Sequence, residues 1–402
     1  MKKIRFWVLP NNGFQTAPLV GDLLKGFHWE HPGLEVEVEV KTPASLWRHL
    51  FRSLKNRDEE RRPDLVQIPH TWTAILAHLS FIEDLKGFDS ALDLDAWVEP
   101  LRTHCQLPGV RGVYALPWWM ELSVLFYRHD VLSQVAADPQ KELDTWEGFL
   151  EVCRKIHKRL KSFPLSHVVA NPNPNESVSL IDAAPCVWAC GGEFLSRDGS
   201  RALFYREEVQ RGVDAYLQLM LQGAMPLLSR SGLVPRGFFE GACAMQFGPR
   251  FPKMPKKLSR AVRAVPYPRG GRARSSIVGA QHLAVVRDNG QAREAFECLK
   301  YLAKPANALA YGRSAGGIPA RLADMQPFFG EHENVQEAFA ASLGFARLLP
   351  NFPIMGTLEK IFERMMERVV ENILHRKYSA ALLREELIHA AAEVDYILAL
   401  ND

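Results

Sequence analysis

The first 85 residues switch repeatedly between two hydrophobic periods, and that alternation constrains the fold more than any composition does. IRFWVL (4–9) reads as a strand, and TAPLVGDLLKGFHWEHPG (16–33) as an amphipathic helix ended by Pro-Gly. EVEVEV (35–40) alternates strictly, as a half-buried strand must. SLWRHLFRSLKNRDEERR (45–62) is a helix running into charge, and PDLVQIP (63–69) a short buried strand. TWTAILAHLSFIEDL (71–85) reads as a helix capped by His70 or Thr71. Three strands separated by helices imply a mostly parallel sheet with helices on both faces.

The rest of the chain is richer in helix. DTWEGFLEVCRKI follows a candidate cap, Asp144, and SVSLIDAAPCVWACGGEF is a helix that stops at Gly191-Gly192. RALFYREEVQRGVDAYLQLMLQ is a long amphipathic helix, and ACAMQFG, SRAVRAVPY and GAQHLAVVR are strand candidates. TLEKIFERMMERVVENIL and SAALLREELIHAAAEVDYILAL carry apolar residues at helical spacing near the C-terminus. At 402 residues and 47% hydrophobic, the chain is long enough for two or three domains with a large core.

Several function classes find no support. The net charge of +3 does not suit a polyanion partner. From Gly241 to Arg287 there are ten Lys and Arg and no acid. An anion surface competes there with an exposed strand pair and loop, and only Tyr267 is placed to stack on a base. Six cysteines form no C-x-x-C pair, and Cys186 and Cys190 have no histidine at ligand spacing, so neither a metal site nor a disulfide framework is expected. No run approaches a membrane span, and the segment after MKK is too short for a signal peptide core. GRSAG (312–316) matches G-x-S-x-G, but it follows a helix rather than a strand, so Ser314 reads as part of a helix end. The pairs Glu59-Glu60 and Glu207-Glu208 read as solvated faces and His282 as a core histidine. LVPRG (233–237) spells a protease-cleavage sequence, a hazard for tag removal only. Nothing points to catalysis or to a cofactor.

The tryptophans point further. ALPWWMELSVLFYRHD (115–130) sets Trp118 beside Trp119, with Glu121 close by. Neighbours in a strand face opposite sides, so both cannot enter one core. Sugar rings have apolar faces and polar edges, and a site for them needs aromatic platforms ringed by carboxylate, amide and guanidinium groups. Trp47, Trp72 and Trp188 also stand near the ends of expected elements, where ligands of open α/β sheets bind. The alternative for each ring is the core.

Taken together, the segments resemble the extracellular solute-binding proteins of ABC importers, in the sugar-binding group that includes maltose-binding protein. IRFWVLPNNG is similar to the first strand and binding loop, and PDLVQIPHTWTAILAHLSFIEDL to the third strand and helix. GVYALPWWMELSVLFYRHDVL resembles the crossover, with its Y-x-L-P turn and L-x-Y-x-x-D close. DTWEGFLEVCRKI is similar to the helix that follows. GFFEGACAMQFGPR resembles the F-x-x-G-x-x-A-M signature, and the segment from GAQHLAVVR to GGIPAR the closing one.

The resemblance implies an α/β, two-lobed type II periplasmic-binding-protein fold with a hinge of crossing segments. It implies one lobe from residues 1–115 with about 268–325 and another from about 120–265 with 330–402. The first lobe would offer Asn11, Asn12, Gly13, Trp47, His70, Thr71, Trp72, Trp118, Trp119 and Glu121 to a ligand. The second would offer Trp188, Gly191, Gly192, Gly248, Arg250 and Phe251, with Gln281 beside them. One of the paired tryptophans would pack under the hinge while the other faces the cleft. The family often carries an aromatic directly after G-P; here Arg250 stands there, which allows an acidic or phosphorylated sugar. The implied function is capture of a carbohydrate or related polar solute, without catalysis. Its implied partner is an ABC permease and not nucleic acid; the protein would be a monomer in the periplasm or at the cell surface. With no signal peptide at the given N-terminus, a cytoplasmic sensor on the same fold is the alternative, and a sugar- or phosphate-ester enzyme a more distant one.

Overall fold

The computed structural model describes residues 1–11, 13–56, 62–107, 110–170, 178–227, 237–251, 254–271, 273–288 and 290–400. The N-terminal alternation is realised. Strand β1 (Lys2–Val8) lies between β2 (Leu34–Val40) and β3 (Leu65–Pro69) and runs parallel to both. Helices Thr16–Glu30 and Pro43–Asn56 lie between them in the chain. The helix expected from Thr71 is shorter: His70–Trp72 form a tight turn, Thr73–His78 are helical, and Ser80 at φ +54° turns the chain.

The complete sheet is mixed, not mostly parallel. The long strand β9 (Ser276–Val285) is antiparallel to both β3 and β4 (Leu116–Leu122). A β-α-β pattern fixes the direction of consecutive strands only, and says nothing of one that arrives some 200 residues later. Strand β10 (Ile318–Pro319) flanks β4, giving the order β10-β4-β9-β3-β1-β2, and β11 (Ala346–Arg347) also pairs with β9.

Ser123 alone separates β4 from β5 (Val124–Arg128), which belongs to a second sheet. That sheet has the order β6-β7-β5-β8, with β6 (His167–Val169), β7 (Cys243–Gly248) and β8 (Val262–Val265). The crossing is pinned: Ser123 N donates to the Ile277 carbonyl at 3.0 Å, and the Ser276 hydroxyl donates to the Ser123 carbonyl. Two local expectations change. Lys256–Ala261 is helical, so only the middle of SRAVRAVPY, Val262–Val265, is strand. Thr145, not Asp144, caps helix Trp146–Lys158, because Asp144 is engaged by Arg269 and Arg274.

One core packs Leu125, Tyr127 and Met245 of the second sheet against helices Leu180–Ala189, Glu207–Leu221, Met355–Leu374 and Ala380–Ala399. A second fills one face of the first sheet and continues through Phe126, Phe238 and Phe251 onto the opposite face of β5, and a third, with Trp7, Val66, Ile68 and Trp72, covers the first sheet's other face. No helix among the described residues is long and apolar enough to cross a membrane. Ser314 is exposed near the end of helix Pro305–Ala315, closed by Gly316 at φ +73°.

Candidate ligand-binding cleft

The polar groups of the site gather at the carboxyl ends of β1 and β3. After β1 the chain turns at Asn11, and Gly13 takes φ +54°, a conformation glycine adopts without steric cost. Asn12 lies outside the described residues. The Asn11 side-chain amide donates to Gln67 Oε1 at 2.8 Å and to the Tyr311 hydroxyl at 2.7 Å. Gln67 in turn donates to Gln281 Oε1 at 3.1 Å. This chain of amides links β3 and β9 to the loop after β1.

All three residues of the His70–Trp72 turn are buried. Ala280 N donates to His70 Nδ1 at 3.2 Å, so the neutral ring carries its proton on Nε2. That Nε2 is shut off from solvent and has no partner among the described residues. Burial pushes the His70 pKa down to about 4, against the pull of the Glu121 charge. At neutral pH His70 is therefore an uncharged donor. His104 lies behind it with ring centroids 4.9 Å apart, and His282 is bonded to Thr73 Oγ1 at 2.8 Å; burial holds both well below the usual imidazole range. His282 is a core histidine with a partner, as expected. A groove of about 590 Å³ opens beside His104, lined also by Gln106, Arg111 and Asn351.

A bulge between Pro117 and Trp119 breaks the alternation of β4. Both tryptophans turn inward, with exposures of 1% and 0%. Trp118 stacks on Tyr311, centroids 4.0 Å apart, and is core. Trp119 lies under Arg250, whose guanidinium carbon is 4.8 Å from the ring centroid. Neither ring faces an open cleft in this conformation, because Arg250 covers the one that would.

Arg250 comes from the far sheet, two residues after the end of β7. Its Nε and Nη2 each lie 2.8 Å from Glu121 Oε1, and its Nη1 reaches the Asn11 carbonyl at 3.5 Å. Trp188, buried at the end of its helix, is covered in the same way by Arg347 at 4.6 Å. Arg347 donates to both oxygens of Glu193, at 2.7 and 2.9 Å. Trp47 meets Trp72 edge-on at 4.7 Å, and a Cβ on Gly356 would stand 3.6 Å from Trp47, so helix Met355–Leu374 begins against this aromatic pair.

The structure thus brings together Asn11, His70, Trp119, Glu121, Arg250 and Gln281, with Trp47 and Trp72 to one side. It does not bring in Phe251, which is buried against Phe126, Phe329 and His332. Gly192 is a packing glycine, since a Cβ there would stand 2.9 Å from Val187 Cγ1. Gly191, at φ +82°, is exposed and turns the chain, and Gly248 ends β7 facing Gln246 and Phe126. Thr71 is buried in its turn. The sequence reading missed Gln67, Tyr311, Glu193, Arg347 and Glu359. Gln67 left a signal, a lone amide inside the apolar run PDLVQIP.

A sequence model of the bacterial extracellular solute-binding proteins matches residues 16–309. No curated protein matches the chain. Among solved structures, the sugar-binding protein MalE from the phytopathogen Xanthomonas citri is similar at 20% identity and TM-score 0.77, over 100% of this chain and 98% of that one. Maltose-bound MalE3 of T. maritima is similar at 19% identity and TM-score 0.79, over 99% and 100%. An ABC substrate-binding protein from Listeria monocytogenes in complex with cycloalternan is similar at 14% identity and TM-score 0.79, over 99% of each chain. At these identities the likeness is one of fold: two α/β lobes about a cleft.

Proposed function

Because the chain belongs to the bacterial extracellular solute-binding protein family, we propose that it captures a carbohydrate or related polar solute between its lobes and delivers it to the permease of an ABC importer. One observation carries the reading furthest. Arg250 of the second sheet reaches over Trp119 to Glu121 and the Asn11 loop, so groups from both sheets meet over an indole face. An aromatic face rimmed by amide, carboxylate and guanidinium is what a sugar ring needs. The similar structures from T. maritima and Listeria hold maltose and cycloalternan, ligands of that class.

The lobes we assign are residues 1–115 with about 268–325, and about 120–265 with 330–402; the chain leaves the first sheet at Ser123, and β11 reaches back from the second lobe to pair with β9. The ligand contacts we assign centre on Asn11, His70, Trp119, Glu121, Arg250 and Gln281. The work is binding without turnover. A ligand that favours the closed arrangement shifts the lobes towards it, and that shift is what a permease reads. The site of action is outside the cytoplasmic membrane, and the acting form is a monomer.

A thermal-shift screen against mono- and oligosaccharides, sugar acids and sugar phosphates, amino acids and polyamines tests the reading. At a hundredfold excess over Kd a ligand adds about 2.7 kcal/mol to stability. A rise in Tm with one sugar class is the expected result. Silence across every saccharide from a folded sample would sink the proposal.

A further inference from the structure

The two arginines that cover the site's indole rings are both held by carboxylates. Arg250 stands where an acidic ligand would find its cation, but Glu121 already holds it through two nitrogens at 2.8 Å. Arg347, over Trp188, is likewise held by both oxygens of Glu193. An anionic ligand would have to compete at each arginine with a carboxylate already in place. These arginines alone therefore do not carry the expectation of an acidic or phosphorylated sugar.

Among the described residues Glu359 has no such partner for its Oε1. That oxygen is closed off from solvent and makes no hydrogen bond with them, and burial lifts the Glu359 pKa to about 7. Glu363, one turn on, lifts it further; Lys360 opposes but is itself paired with Glu363 at 2.6 Å. The helix geometry gives its direction. Arg364 and Arg368 pair with Glu393 and Glu386, tying helix Met355–Leu374 to helix Ala380–Ala399. At 100° per residue those two arginines lie on the side of the helix away from Glu359. Gly356, one turn before Glu359 on its own side, abuts Trp47 of the other sheet's helical layer. Glu359 therefore lies on the side of the helix that begins against Trp47, whose ring, like that of Trp72, carries no charge.

Resting on the reading that the cleft takes a saccharide, we propose that this saccharide bears a free amine, whose ammonium group sits between the Glu359 carboxylate and the Trp47 ring. An ammonium satisfies a desolvated carboxylate with charge-assisted hydrogen bonds and is attracted by an indole face. A neutral hydroxyl satisfies the hydrogen bond but leaves the charge uncompensated. The binding event has a signature of its own: at pH 7 the carboxyl is partly protonated, and an arriving cation expels that proton.

The test is calorimetry at pH 7 on the full chain and on Glu359→Gln, with far-UV circular dichroism to show that the variant is folded. The probes are glucosamine, galactosamine and the glucosamine disaccharide, each beside its N-acetylated form and its parent uncharged sugar. The expected result is a preference of about tenfold or more for the free amine over the acetylated form, lost in Glu359→Gln. The binding enthalpy of the amine should also depend on the buffer, as proton release requires. Uncharged or acetylated sugars binding as well as the amines, or a preference untouched by Glu359→Gln, overturns the inference and leaves the sugar-binding function standing. No binding by any saccharide, here or in the thermal screen, overturns both.

Discussion

At the scale of single residues, the adjacent tryptophans separate by what covers them. Trp118→Ala removes a ring stacked on Tyr311 and should cost about 3–5 kcal/mol, measured by chemical denaturation. Trp119→Ala should cost a similar amount and also weaken ligand, because Arg250 loses the surface it lies on. Arg250→Ala breaks a pair at 35% and 23% side-chain exposure, so about 1 kcal/mol or less is expected; uncovering Trp119 should shift tryptophan emission to the red. The thiols give a simpler check. Five of the six cysteines are buried and only Cys190 is partly exposed, and burial pushes Cys105, Cys153, Cys186, Cys243 and Cys298 away from the thiolate. One thiol should react quickly with a disulfide reagent in the folded protein and all six in denaturant. Arg250, Glu121 and Gln281 were legible because motifs flank them. Glu359 was not: in TLEKIFERMM it is spaced like any solvated acid, and nothing local says that its helix begins against Trp47, some 300 residues away.

At the scale of elements, strong periods were legible and irregular joints were not. EVEVEV and the two C-terminal helices are found where their spacing puts them. The bulge in β4 was invisible, because a run of apolar residues reads the same with or without one extra residue. The buried histidines and Glu359 make opposite demands on pH. His70 falls from 6.5 to about 4 and His104 and His282 fall in the same direction, so the stability they contribute is complete above about pH 6.5 and is lost on acidification. Glu359 rises from 4.5 to about 7, so its part is complete below about pH 4.5 and is lost as pH rises to 7. Moving either His70 or Glu359 that far is worth roughly 3 kcal/mol. Glu359→Gln removes the opposing branch. The Tm of the variant should therefore climb more steeply between pH 4.5 and 7 than that of the unaltered protein, and parallel curves would mean that Glu359 is solvated.

For the whole molecule, the resemblance anticipated two lobes where local pattern gave only one alternating sheet. Periodicity in the first 85 residues could not reveal that β9 would be inserted between β3 and β4. All ten residues of β9 are buried, and it bonds to strands that precede it in the chain by well over a hundred residues. Until it arrives, β3 and β4 each have an open edge. A fragment of residues 1–122 should accordingly show no cooperative unfolding transition. The same feature sets the tempo of maturation. Pairing at such sequence separation is slow to nucleate, so the leading third of a nascent chain stays unlocked until residue 285 has been synthesised. For a family whose members act beyond the cytoplasmic membrane, a keystone strand supplied this late leaves the polypeptide threadable for most of its synthesis.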